Sequence, residues 1–114
     1  MVTRQALAVG ALVALAVVAA TAAPAAAADG TQLYAKSCAA CHGKAGEPGE
    51  MFAKQGVRNF KDPAWQKTRT DADLEKTIRE GKPGTLMVSF KDRFSAEEIK
   101  ALIAFIRKLG APKK

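Results

Sequence analysis

The sequence predicts an all-α domain, on three observations. Apolar residues recur at steps of three and four, two capping boxes open such stretches, and no segment sustains the two-residue alternation of a strand. The first helix is expected from about Gly30 to Ala40, with Thr31 as its cap and Leu33, Tyr34 and Ser37 to Ala40 at helical intervals. From His42 to about Thr68, Gly43, Gly46, Pro48, Gly49, Gly56 and Pro63 interrupt any long periodic element. This reads as loop with a short helical turn around Met51 to Lys54. Thr70 with Asp73 resembles a capping box, Leu74 and Ile78 mark an apolar face, and Gly81 followed by Pro83 ends that helix. Ser95 with Glu98 opens the last helix, in which Ile99, Leu102, Ile103, Ile106 and Leu109 form one stripe before Gly110 and Pro112 stop it.

Ahead of these elements lies a basic start at Arg4, an apolar run of 15 residues from Ala6 to Ala20, and the small-residue end Ala26-Ala27-Ala28. That layout is a secretory signal, and the run is shorter than the roughly 20 residues a membrane-spanning helix needs. The expected organisation is therefore a signal over residues 1–28 and one domain over residues 29–114, exported to the periplasm, with no membrane span after cleavage. Taking 28 from 114 leaves 86 residues. Domains this small bury little surface and commonly lean on a staple, a metal or a cofactor. Of 18 Lys and Arg only Arg4 is lost, so 17 face 11 Asp and Glu, a net charge of +6. Such a surface suits acidic protein partners; the lack of a dense Arg/Lys run with interleaved aromatics, together with export, argues against nucleic acid.

The chemistry is concentrated in Cys38-Ala39-Ala40-Cys41-His42, a C-x-x-C-H string. Two cysteines three apart on a helical turn project to one side, where each thiol can form a thioether with a vinyl-derived arm of a porphyrin. The adjacent His42 is then placed to ligate the iron, for which histidine is the usual donor. A redox disulfide of the thioredoxin kind would need a βαβ setting, and a zinc site would need a fourth ligand that the chain does not supply. An exported haem-free disulfide protein is the remaining alternative. His42 is the only histidine, so the iron's other position falls to methionine, another donor, water or nothing. Of the two methionines beyond the signal, Met51 and Met87, Met87 is favoured because Gly84-Thr85-Leu86-Met87-Val88-Ser89-Phe90 is a mostly apolar loop able to cover a haem face, whereas Met51 lies among glycines and charges.

With these residues in hand, positions 29 to 114 resemble a class I cytochrome c, the small soluble monohaem type. The resemblance implies a small cytochrome c fold, three or more helices wrapped around one covalent haem c, with crossing N- and C-terminal helices. Gly30, Ala35 and Ala104 are candidates for their closest approach, and Phe94 and Phe105 for core packing. In that family the methionine loop commonly reads M-P-x-F; here Val88 stands in the proline's place, which is expected to loosen the loop. Trp65 is read either as a donor to a haem propionate or as a half-buried packing residue. Pro48 or a nearby loop residue is expected to offer a carbonyl to the second nitrogen of His42.

The resulting expectation is a monomeric periplasmic electron carrier and not an enzyme, with Cys38 and Cys41 holding the haem, His42 and Met87 holding its iron, and no catalytic residue. Lys36, Lys44, Lys82, Lys91 and Arg93 are expected, as a group, to ring the haem edge and meet acidic redox partners. The alternative is a haem c subunit, or a sensor or enzyme whose distal methionine gives way to a small ligand.

Overall fold

A computed structural model describes residues 10–16 and 28–111. Most of the 1–28 segment read as a signal, and Pro112, lie outside the described residues. Residues 10–16 carry no regular secondary structure, and among the described residues no helix is long and apolar enough to cross a membrane. Six helices follow in order: α1 Gly30–Ser37, α2 Ala39–His42, α3 Glu50–Lys54, α4 Pro63–Lys67, α5 Asp71–Glu80 and α6 Ala96–Leu109. No strand occurs among the described residues.

The expected first helix is divided. Cys38 leaves ideal helical geometry at φ −119°, so that α1 stops at Ser37 and the short α2 carries Cys41 and His42. Its cap is Asp29, whose carboxylate accepts the Thr31 N–H at 3.0 Å, in place of the expected Thr31. Asp29 fits because its side chain reaches an amide two residues on, one of the four donors a helix start leaves unpaired. A second correction concerns the stretch read as loop. Pro63 begins α4 instead of breaking structure, since proline's fixed φ suits the first helical position and Asp62 caps it through the Ala64 N–H at 3.0 Å. The short helix expected near Met51 is α3.

Both capping boxes are present, Thr70 with Asp73 on α5 and Ser95 with Glu98 on α6. Helix α6 is the spine, packing on α1 and on α5. Its residues Ile99, Leu102, Ile103 and Ile106 are all buried, with Leu102 fully so. At about 1.5–3 kcal/mol each, four such side chains supply several times what intrinsic helix propensity could, before conformational entropy is set against them. The crossing with α1 is close because Gly30 has no side chain: a Cβ there would fall 2.2 Å from the carbonyl oxygen of Ala101. The small residues at the crossing are thus Gly30 and Ala101, while Ala35 and Ala104 are exposed. Phe94 and Phe105 pack against the core as expected.

The C-terminal half of α6 is tied down by polar contacts. Arg107 donates to the Gln66 carbonyl and side-chain oxygen at 2.8 Å each, to the Arg69 carbonyl at 2.6 Å, and to Asp71 at 2.9 Å. Buried Gln66 in turn donates to the carbonyls of Phe60 and Ile106 at 2.9 and 2.8 Å. Every polar atom of that amide is therefore used, which is the condition for burying one without penalty.

Candidate functional site

A cavity of about 370 Å³ opens between the α1–α2 segment, α5 and the loop after it. Cys38, Cys41, His42 and Met87 all line it, together with Phe60, Trp65, Leu74, Ile78, Phe90 and Ile106. The volume lies in the range of about 300–1,000 Å³ usual for small-molecule sites, and the lining is mostly apolar with a few polar groups. Met51 is not among the lining residues and stands 71% exposed on α3.

The two thiols reach the cavity because the helical turn from Cys38 to His42 repeats its direction after three residues. Cys38 and Cys41 are not joined to each other. Burial, with repulsion from Cys41 added, pushes the Cys38 thiol up to about 11, so it faces the cavity as a neutral thiol at pH 7. Behind them, Tyr34 is fully buried and donates its hydroxyl to the Gly43 carbonyl at 2.7 Å, pinning the end of α2. Burial, and secondarily Cys38, raises the phenol further above its ordinary value, so it stays a donor.

His42 is oriented by Arg58, whose carbonyl lies 3.0 Å from Nδ1. A carbonyl only accepts, so Nδ1 carries the proton and Nε2 keeps its lone pair. Of the expected carbonyls, that of Pro48 is not the one used; a residue further along the same loop supplies it, as the chain returns to the imidazole 16 residues after His42, beyond the turn around α3. Burial lowers the imidazole below its ordinary value, with the Arg58 hydrogen bond opposing in part, so the neutral form is favoured.

Met87 is held by α5. Gly81, at φ 70°, ends that helix and leaves no room for a side chain, since a Cβ would lie 2.7 Å from Ser89 N and 2.8 Å from the Met87 carbonyl oxygen. The loop is fastened back on this corner by Lys82 N–H to the Met87 carbonyl at 2.9 Å, Phe90 N–H to Ile78 at 3.0 Å, and the Ser89 hydroxyl to Arg79 at 2.6 Å. These bonds restrain the loop on both sides of Val88, where the family's proline would have stiffened it.

Three features fit a porphyrin. Trp65 Nε1 is buried at the cavity without an acceptor, and a buried indole donor ordinarily has one. Arg58, Arg69 and Lys82 also line the cavity, so anionic groups of a ligand would meet cations there. Among the described residues no three His, Cys, Asp or Glu side chains converge as a metal-ion set, and the few donors present suit an iron that brings its own ring of nitrogens. Of the five cations expected around the site, only Lys82 lines it; Lys36 lies instead beside Asp29 and Glu98 at a separate shallow depression. Arg58, Arg69, Phe60 and Gln66 escaped the sequence reading because no local motif marks them.

A family model described as Cytochrome C oxidase, cbb3-type, subunit III matches residues 25–106. The chain is 31% identical over 87 residues to the Cbb3-type cytochrome c oxidase subunit FixP of Bradyrhizobium diazoefficiens, covering 76% of this chain but only 29% of that protein. It is 36% identical over 84 residues to Cytochrome c-553 of Nitratidesulfovibrio vulgaris, covering 73% of this chain and 78% of that one. Among solved structures it is similar to the KustC0563 c-type cytochrome, with a TM-score of 0.67, 36% identity, and coverage of 73% of this chain and 99% of the other.

Proposed function

The chain belongs to the c-type cytochromes, and we propose that it is a periplasmic single-electron carrier in which Cys38 and Cys41 hold the haem, His42 and Met87 hold its iron, and no substrate is transformed. The family's cofactor, a covalently bound haem c with its iron, is the cofactor of this chain. The observation that carries the residue assignment is the meeting of Cys38, Cys41, His42 and Met87 at one largely apolar cavity.

Haem supplies an iron that cycles between ferric and ferrous states. The protein's part is to hold it and set its potential. His42 offers Nε2 because Arg58 occupies Nδ1. Met87 would offer a thioether, and methionine ligation would raise the reduction potential. The apolar walls contributed by Leu74, Ile78, Phe90 and Ile106 disfavour the extra charge of the ferric centre and act in the same direction. Trp65 Nε1, with Arg58 and Arg69, would receive the propionates. With His42 and Met87 both on the iron, oxygen or peroxide would have to displace one of them, which favours electron transfer over catalysis.

Lys82 lines the cavity beside Leu86 and Val88, which are 50% and 54% exposed. An apolar patch edged by a cation suits brief docking of an acidic redox protein, guided by charge and released quickly. A second reading, a haem c subunit of an oxidase, is favoured by the match to the subunit III model and to FixP. It predicts co-purification with an oxidase where the carrier reading predicts a free monomer.

The deciding experiment is expression with a c-haem maturation system, followed by mass spectrometry and absorbance. One covalently added haem and a weak far-red ferric band that Met87→Ala abolishes and Met51→Ala retains are expected. A Cys38 to Cys41 disulfide without haem, or a far-red band that survives Met87→Ala, refutes the assignment.

A further inference from the structure

We infer that Phe60 is a positioning residue that locks the rotation of the His42 imidazole, an inference that rests on reading His42 as the iron ligand. The two rings stack with centroids 4.1 Å apart and planes 15° from parallel. Phe60 covers a face of the imidazole while the Arg58 carbonyl holds its Nδ1 edge, so one three-residue stretch grips the ring in two directions. Turning the imidazole about its Cβ–Cγ bond would break the hydrogen bond and drive the ring into Phe60.

Phe60 is itself immobilised. It is 6% exposed, its N–H donates to the Gly46 carbonyl at 2.8 Å, and its own carbonyl accepts from Gln66 at 2.9 Å. Tyr34 meets its ring edge-on at 6.2 Å and Trp65 lies tilted at 5.5 Å. Because Gln66 also binds the Ile106 carbonyl and accepts from Arg107, the position of α6 is transmitted to the imidazole through Gln66 and Phe60. A neighbour that fixes ring orientation acts beside the hydrogen bond to the ligand's other nitrogen, which sets its tautomer and basicity. The bland role for Phe60, filling core volume, does not require near-parallel contact with the ligand ring.

The test compares ferric holoprotein of the wild type, Phe60→Leu and Phe105→Leu by proton NMR, reading the hyperfine-shifted haem methyl resonances. Phe105 belongs to the same aromatic cluster through Tyr34, at 4.9 Å, but has no ring contact with His42. Phe60→Leu is expected to keep its covalent haem and far-red band while the spread of the four methyl shifts contracts and their order changes; Phe105→Leu is expected to match the wild type. An unchanged pattern in Phe60→Leu, or an equal change in Phe105→Leu, overturns the inference. Should Phe60→Leu not accumulate, Gln66→Met keeps the phenyl ring but removes the amide that holds it, and is expected to shift the methyl pattern in the same direction; a wild-type pattern there overturns the inference equally. A wild-type protein lacking haem or histidine ligation would instead sink the functional reading, an outcome visible before any variant is made.

Discussion

Replacing Gly30 by alanine tests the helix crossing on which the site is built. The added Cβ would lie 2.2 Å from the Ala101 carbonyl oxygen, 2.8 Å from its carbonyl carbon and 3.2 Å from Phe105 Cβ. The first two are backbone atoms of α6, so no side-chain rotation relieves the overlap and the helices must part. Overpacking of this kind costs about 1–3 kcal/mol. Alanine's better helix propensity returns at most about 1 kcal/mol, and less at Gly30 because it is the first helical residue. A net loss of about 1–2 kcal/mol lowers the folded-to-unfolded ratio roughly 5- to 30-fold. Guanidinium unfolding of the holoprotein, followed by far-ultraviolet circular dichroism, should show a lower midpoint at unchanged slope. Adding Ala101→Gly should not restore it, since the offending carbonyl remains. A Gly30→Ala midpoint at or above the wild type, or rescue by Ala101→Gly, would refute the close-contact reasoning.

The capping boxes offer a second measurement: Ser95→Ala and Thr70→Ala each remove a side-chain acceptor at a helix start and should each cost about 1 kcal/mol in the same unfolding assay. Gln66→Leu leaves the buried Phe60 and Ile106 carbonyls without their donor and should cost about 1–3 kcal/mol or more, whereas exposed Lys54→Ala at an isolated surface pair should change stability by less than about 0.5 kcal/mol. Asp73 sits below the ordinary carboxylate range, chiefly because its carboxylate accepts the Thr70 N–H and secondarily through the Thr70 hydroxyl. Its folded value is therefore lower than its unfolded one, and the unfolded chain binds the proton first. The stability difference between wild type and Asp73→Asn should be fully present above the unfolded value and shrink as pH falls through the folded one; a difference that persists at the acid end contradicts this. Finally, the rate of electron transfer to an acidic partner should fall as ionic strength rises and fall further in Lys82→Glu; a rate independent of salt rejects charge-guided docking.

The family, the helical class and three residues of the cavity were legible in the sequence because each is written in neighbouring residues. Cys38, Cys41 and His42 share one turn, and a capping box closes within four residues. The stripe on α6 is a period of the helix itself. Met87, singled out by the apolar character of its loop, lines the same cavity. Where local rules compete, local signals mislead. Pro63 reads as a breaker, yet Asp62 makes it a helix start, and Thr31 reads as the cap of α1, yet Asp29 fills that place.

What folding alone decided is which distant groups meet these local features. The carbonyl on His42 comes from Arg58, the ring stacked on it from Phe60, and the partner of Gly30 is Ala101 rather than Ala104. Arg107 finds Gln66 across 41 positions of sequence. Short-range order follows from backbone geometry and hydrogen bonds that span three or four residues. Contacts across 16 residues or more depend on the path of a glycine-rich loop and the angle between two helices, which are fixed only when the whole core packs.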